Sequence, residues 1–346
     1  MKKVALFDTK PYDREWFNRL NTQYDITYFE SKLNVQTAQL AKGFDAVCAF
    51  VNDTLDARTI ELLTQEGVQV VAMRCSGYNN VDMKAAYGKL HILRVPVYSP
   101  YAVAEHTMGL LLCLNRKIHR AYNRTRDFNF SLNGLTGVDL HDRTAGIIGT
   151  GNIGRIFLRL CSGFGMRTIA YDPYPQINEE EINYVDLPTL LRESDVISLH
   201  CPLTEESHHI LNRTAFSQMK KGVFILNTSR GSLIDSSALL EALNKEIVRG
   251  AGLDVYEEEA DLFFEDFSGS IIHDDTLALL VSHPNVLITS HQAFLTEEAL
   301  GNIVRVTLGN LDAYFSGAPL GNEICYYCEA GKNSEECKKE KGQRCF

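Results

Sequence analysis

Nowhere does this 346-residue chain hold an apolar run near the ~20 residues that a membrane-spanning helix requires. Its first apolar run, Val4-Ala5-Leu6-Phe7, stops at Asp8 and is too short for the core of a secretory signal. The expectation is a soluble, cytoplasmic protein with no membrane partner. Positive charge is in short supply: 34 Lys and Arg face 44 Asp and Glu, a formal net charge of −10. Phosphate backbones and anionic bilayers bind basic faces, so no nucleic acid or acidic membrane is expected as a partner. An anionic small-molecule ligand would then need its own local cation. The sequence has no H-E-x-x-H or related histidine spacing, so no catalytic metal is expected. Repeats and low-complexity segments are also missing.

Apolar residues make up 45% of the chain, enough for a sizeable core, and the length suggests about two domains. In the first hundred residues, short apolar runs alternate with polar helical stretches. Val4–Phe7, Ala46–Val51 and Val68–Ala72 read as strands, and Asp56–Glu66 has helical spacing. This is a βα pattern of the flavodoxin kind. The middle of the chain is plainer. Strands are read at Thr144–Gly149, Thr168–Tyr171, Val196–His200, Val223–Asn227, Ala251–Val255 and Val286–Ser290. A helix running to Phe164 and another at Ser236–Lys245 fall among them. Near-continuous apolar strands alternating with helices indicate a parallel sheet covered on both faces. A helix at Glu297–Phe315 ends before Gly317 and Pro319, and Tyr101–Asn115 reads as a helix joining two domains.

The segment Gly149-Thr150-Gly151-Asn152-Ile153-Gly154 is a G-x-G-x-x-G with a strand before it and a helix after it. Gly149 suits a tight turn, Gly151 lets backbone approach a pyrophosphate, and Gly154 allows close helix–sheet packing. The first helical turn, including Asn152 and Ile153, offers free N–H groups to phosphate. Asp172 ends the next strand, 21 positions after Gly151. A carboxylate there accepts hydrogen bonds from the ribose hydroxyls and repels a 2′-phosphate. No Lys or Arg occurs between Pro173 and Asn178, so the expected cofactor is NAD rather than NADP.

In an open parallel sheet, ligands bind beyond the carboxyl ends of the strands. Those ends carry Cys201-Pro202, Thr228-Ser229-Arg230-Gly231, Asp254 with Glu259 shortly after, and His291. Reducing a 2-keto acid needs a hydride at C2 and a proton at the oxygen. His291 is the candidate proton donor, because imidazole titrates near working pH. Glu259 is the candidate carboxylate that would orient it and favour its protonated form. Arg230 offers a planar fork of donors to the substrate carboxylate and carbonyl, which a Lys could not. His200, followed by Cys201-Pro202, reads as structural, and His208, His209 and His283 as loop residues.

Taken together, these stretches resemble the D-isomer-specific 2-hydroxyacid dehydrogenases, most closely the fermentative, lactate-forming branch of that family. The residues that carry the resemblance are Arg74-Cys75-Ser76-Gly77-Tyr78-Asn79-Asn80-Val81-Asp82, Tyr98 through His106, the glycine loop, Asn227 through Gly231, Leu253 through Glu257, and Ser290 through Phe294. They cover about residues 1 to 322 in family order. The resemblance implies an α/β protein of two Rossmann-like domains. One is a doubly wound parallel-sheet NAD-binding domain over residues 101–299. The other is a flavodoxin-like, discontinuous substrate domain over 1–100 and 300–322. It also implies that Arg230, Glu259 and His291 form the catalytic set, with Gly77 and Tyr78 presenting backbone groups to the substrate carboxylate. Thr228, Ser229 and Asp254 would face the nicotinamide, and the product would have the D hand. Phe50, Tyr101 and Phe294 align with positions that wall the pocket on the C3 side in similar proteins, which favours pyruvate. Similar proteins are homodimers or homotetramers, and Tyr101–Asn115 is the candidate interface by that resemblance.

Two other readings stay open: a broader D-2-hydroxyacid dehydrogenase for larger 2-keto acids, and an NAD-sensing scaffold without catalysis. A formate dehydrogenase would place Gln where Glu259 stands. Five of the nine cysteines (Cys48, Cys75, Cys113, Cys161 and Cys201) lie in apolar segments and read as buried hydrophobes of a reducing compartment. The other four, Cys325, Cys328, Cys337 and Cys345, fall in residues 323–346, which depart from the family. Four thiolates could hold zinc or an iron–sulfur cluster, but their spacing fits no zinc pattern well and the many nearby charges suit a mobile tail.

Overall fold

A computed structural model describes residues 1–175, 182–258, 264, 266–270, 272–326, 344 and 346. The chain divides into two compact units, Met1–Ser99 with Thr296–Phe346, and Pro100–Leu295.

The first unit holds β1 (Lys2–Leu6), α1 (Pro11–Leu20), β2 (Tyr24–Tyr28), β3 (Ala46–Ala49), α2 (Ala57–Gln65), β4 (Val70–Met73), α3 (Met83–Ala86) and β5 (His91–Leu93). Its five strands are all parallel, in the order β2-β1-β3-β4-β5, which is the flavodoxin-like winding. β3 and β4 are buried at every residue, which is why they read as unbroken apolar runs. The helix Glu297–Phe315 returns to this unit and lays Val304 and Leu311 on the core made by Val4, Leu6, Cys48, Val70 and Ala72.

The second unit runs α4 (Pro100–Arg116), α5 (Ile118–Arg126), β6 (Thr144–Ile148), α6 (Asn152–Gly163), β7 (Arg167–Tyr171), α7 (Leu187–Glu193), β8 (Val196–Leu199), α8 (Arg213–Ser217), β9 (Val223–Asn227), α9 (Ser236–Asn244), β10 (Val248–Leu253), α10 (Asp275–Ser282) and β11 (Val286–Ile288). Glu297–Phe315 is therefore α11. The six strands are parallel in the order β11-β10-β9-β8-β6-β7. Neighbouring residues alternate between two apolar layers, as a pleated sheet requires. Ile148, Ile225 and Leu253 face the layer that includes Leu239 and Leu280, whereas Ile147, Phe224 and Leu226 face the layer with Leu111 and Phe157. The winding reverses between β6 and β8, the switch point where ligands bind in this architecture. Both sheets match the α/β class expected from the sequence. Among the described residues no helix is long and apolar enough to cross a membrane.

Candidate active site

The glycine loop leaves β6 beside that switch point. Gly149 has φ +94°, and a Cβ on it would lie 2.7 Å from the backbone of His200 and Cys201. At Gly154 a Cβ would sit 2.0 Å from the Gly149 carbonyl oxygen, so the loop and α6 touch only because no side chain intervenes. Gly151 is the N-cap of α6, has no side-chain cap and faces open space. By contrast α2, α7, α8, α9, α10 and α11 are each capped by an Asp, Asn or Thr side chain. The first N–H groups of α6, at Asn152 and Ile153, are thus left for an anion, and the helix dipole favours one. This cradle fits a dinucleotide pyrophosphate.

Asp172, just past β7, is tied to the same loop. Its Oδ2 accepts from the Thr150 amide at 2.7 Å and hydroxyl at 2.8 Å, and its Oδ1 accepts from the Tyr174 amide at 2.9 Å. Burial alone would raise its pKa, but these donors and the Arg155 charge outweigh burial and hold it below the usual carboxylate value. An ionised acceptor is what a ribose diol needs. Thr150, which the sequence reading passed over, is what fixes it.

Beyond β8, Cys201 is buried and its thiol is pushed up to about 11, chiefly by burial, so it is a neutral wall residue and no nucleophile. Its carbonyl accepts from Ser229 Oγ at 2.7 Å, joining the ends of β8 and β9. Pro202, next in the chain, is exposed. The buried Thr228 hydroxyl pairs with Thr107 of α4 at 2.8 Å. Arg230 follows β9 and is partly buried. Among the described residues its guanidinium has one partner, the Ser229 carbonyl at 2.7 Å, and the rest of its donor fork is not engaged by them.

The ends of β9, β10 and β11 are linked rung by rung. The Asp254 amide donates to the Asn227 carbonyl at 2.8 Å, and the His291 amide donates to the Asp254 carbonyl at 2.8 Å. Arg230, three residues past Asn227, and His291 therefore stand at the same carboxyl edge. His291 takes φ +47°, a backbone state that side chains other than Gly rarely adopt. Asp254 explains how it is held. Its Oδ1 accepts from Thr289 Oγ1 at 2.5 Å and the Gln292 amide at 2.9 Å, and its Oδ2 from the Ala293 amide at 2.8 Å. His106 Nε2 lies 3.1 Å from Thr289 Oγ1 and 3.4 Å from Asp254 Oδ1.

Asp254, expected to face the nicotinamide, is 0% exposed and gives its carboxylate to the segment that carries His291. Glu259 lies outside the described residues. Tyr101 is 56% exposed at the start of α4, whereas Phe294 is buried.

In the 1–99 unit, Gly77 and Tyr78 lie on the loop after β4. The Gly77 amide has no acceptor among the described residues, and its carbonyl takes a contact from Cys75 Sγ at 3.2 Å. The Arg94 guanidinium rests over the Tyr78 ring at 5.1 Å. Phe50 is only 6% exposed and carries the buried Arg74 guanidinium on its face at 4.6 Å, so it is chiefly a core residue. Of the four tail cysteines, Cys325 is buried and free, and Cys328, Cys337 and Cys345 lie outside the described residues.

A pyrophosphate cradle, an ionised acid beyond the second strand of the sheet, and an arginine and a histidine at its carboxyl edge define an NAD-dependent dehydrogenase. Residues 108–293 match the family model described as D-isomer specific 2-hydroxyacid dehydrogenase, NAD binding domain, and the chain belongs to that family. It is 52% identical over 327 residues to the D-lactate dehydrogenase of Escherichia coli (strain K12), covering 93% of this chain and 99% of that one. The apo-structure of D-lactate dehydrogenase from Escherichia coli superposes with a TM-score of 0.86 at 50% identity, over 93% of this chain and 99% of the other. A structure described as the pyruvate reductase of Chlamydomonas reinhardtii gives 0.88 at 40% identity, over 93% and 98%.

Proposed function

We propose that this dehydrogenase reduces pyruvate to D-lactate, reversibly, with NADH as the hydride source. The observation that carries the reading is the backbone ladder Asn227–Asp254–His291, which sets Arg230 and His291 on one strand edge of the NAD-binding unit. Arg230 takes the substrate carboxylate and carbonyl oxygen in its fork, which polarises the carbonyl. His291 gives its proton to that oxygen as the hydride reaches C2, and takes a proton back in the oxidative direction. Glu259 is assigned as the carboxylate partner of His291. Gly77 and Tyr78 are assigned as backbone groups for the substrate carboxylate, and Tyr101 and Phe294 as aromatic walls on its C3 side. The choice of pyruvate and the D hand are supported by the Escherichia coli and Chlamydomonas reinhardtii proteins named above.

An assay of NADH oxidation across pyruvate, 2-ketobutyrate, oxaloacetate, hydroxypyruvate, phenylpyruvate and 2-ketoisocaproate, with chiral analysis of the product, tests this. Pyruvate is expected to be the preferred substrate, with D-lactate the sole product. Equal or faster turnover of phenylpyruvate or 2-ketoisocaproate favours the broader dehydrogenase, and NADH binding without any turnover favours a scaffold. His291→Gln is expected to lower kcat by about 10²–10⁴-fold, the usual share of a general acid, with NADH affinity held.

We further propose that the chain acts in the cytoplasm as a homo-oligomer. Free buried thiols such as Cys48 and Cys161 suit a reducing compartment. For self-association, α4 has little to offer. Ala102, Val103, Met108, Leu110, Leu111 and Leu114 are all buried within its own unit. The apolar surface lies just downstream, where Ile118, Tyr122, Phe128, Phe130 and Leu132 are 54–85% exposed.

A further inference from the structure

We propose that His208, His209 and Glu257 form a second ligand site, one that binds a single divalent cation of the zinc, cobalt or nickel class. One ligand atom from each of the three residues lies within 4.8 Å of the others. The two histidines sit on the turn between β8 and α8, and Glu257 follows β10. The turn is fixed by its own backbone: the His208 amide donates to the Thr204 carbonyl at 2.9 Å, and the His209 amide to the Ser232 carbonyl at 2.8 Å. His209 has φ +51°, and its Nε2 lies 2.5 Å from Glu257 Oε1. The other oxygen of Glu257 is already oriented, accepting from Ser236 Oγ at 3.1 Å. This is how a metal-binding carboxylate is normally held by its surroundings.

The chemistry selects the ion. The rings of His208 and His209 stack with centroids 3.9 Å apart and an interplanar angle of 28°. Two imidazoles and a carboxylate suit zinc, cobalt or nickel, whereas magnesium and calcium prefer all-oxygen sets. A cation bound here takes the place of the direct Nε2–Oε1 contact, the two atoms moving apart to about 3 Å to ligate it. His208 is exposed and can turn its ring to complete the set, and water fills the fourth position of a tetrahedral ion. Occupancy would tie the turn after β8 to the segment after β10. The loop carrying Arg230 already lies against that segment, since a Cβ on Gly231 would be 2.0 Å from the Tyr256 carbonyl.

The test uses the full chain, stripped with a chelator and titrated with Co²⁺ and then with competing Zn²⁺. One ion per chain is expected, with a cobalt spectrum that lacks thiolate-to-metal charge transfer. That spectrum separates this site from the tail cysteines. In a variant with His208→Asn and His209→Asn the affinity is expected to fall by at least about 100-fold, and in Glu257→Gln by about tenfold or more. NADH binding should be retained in both. If the paired variant loses NADH binding, His208→Asn alone decides, because that side chain is exposed and its loss should weaken Co²⁺ binding about tenfold. Unchanged affinity in the variants, a thiolate signature, or no binding by the stripped wild-type chain overturns the proposal.

Discussion

At the scale of single residues, reactivity and placement are divided between different side chains. His291 is kept in its left-handed backbone state by a neighbour that never reaches the surface, because Asp254 gives three of its acceptor positions to Thr289, Gln292 and Ala293. An Asn at 254 keeps the size of the side chain but turns one acceptor into a donor facing backbone N–H groups. One buried amide would then lose its partner, at a cost of about 1–3 kcal/mol. Asp254→Asn is therefore expected to lower the urea midpoint and to reduce kcat by about 10²-fold, the usual cost of a catalytic group displaced by an ångström. NADH affinity should change little, since the cradle at Gly149–Gly154 is on another strand. Urea unfolding, steady-state kinetics and fluorescence titration with NADH measure the three effects. Loss of NADH binding in step with kcat would return Asp254 to a role at the cofactor.

At the scale of elements, what the sequence discloses depends on how a segment is buried. β8 and β9 are buried throughout and were read to within a residue, as was α11 with its Gly317 stop. β2, YDITY, lies at a sheet edge with alternating exposure, and β5 is three residues long, so neither shows an apolar run. β10 spans Val248–Leu253 rather than the expected Ala251–Val255, because Arg249, Gly250 and Gly252 weaken its strand signal. The placement of Arg230, His291 and the glycine loop at strand ends was legible in the sequence. The site was not legible where the role depends on partners distant in sequence, as with Thr150 on Asp172 or His106 beside Asp254. The loop–α6 junction yields its own prediction. Gly154→Ala places a methyl 2.0 Å from the Gly149 carbonyl, so either the loop or the helix must shift. The variant is expected to lose about 1–3 kcal/mol of stability, as overpacking does, and to bind NADH at least tenfold more weakly. Gly163→Ala, in the last turn of the same helix with nothing within 4 Å, is the control and should stabilise by up to about 1 kcal/mol. Equal behaviour of the two variants would show that the close approach at Gly154 does not matter.

At the scale of the whole molecule, stability against pH and self-association follow from groups outside the chemistry. His200 is held neutral, its pKa lowered to about 3 by burial, while Ser198 Oγ lies 2.8 Å from its Nε2. In the unfolded chain it titrates near 6.5, so the unfolded state takes up a proton that the folded state refuses. Its contribution is complete above pH ~6.5 and is lost as pH falls toward 3, at no more than about 1.4 kcal/mol per pH unit. Chemical denaturation between pH 5 and 7 in wild type and His200→Asn should therefore give a shallower slope in the variant. For the proposed self-association, the segment from α5 to Leu132 is the expected contact. Phe128, Phe130 and Leu132 are 85%, 71% and 80% exposed, side chains that a monomer would bury or replace. Phe128→Asp with Phe130→Asp puts two charges into such a contact, where each would be desolvated without a partner. In light scattering, the wild type is expected to run as an oligomer and the variant as a 38.9 kDa monomer with unchanged circular dichroism. A monomeric wild type, or an oligomer that survives both substitutions, would place the contact elsewhere or remove it.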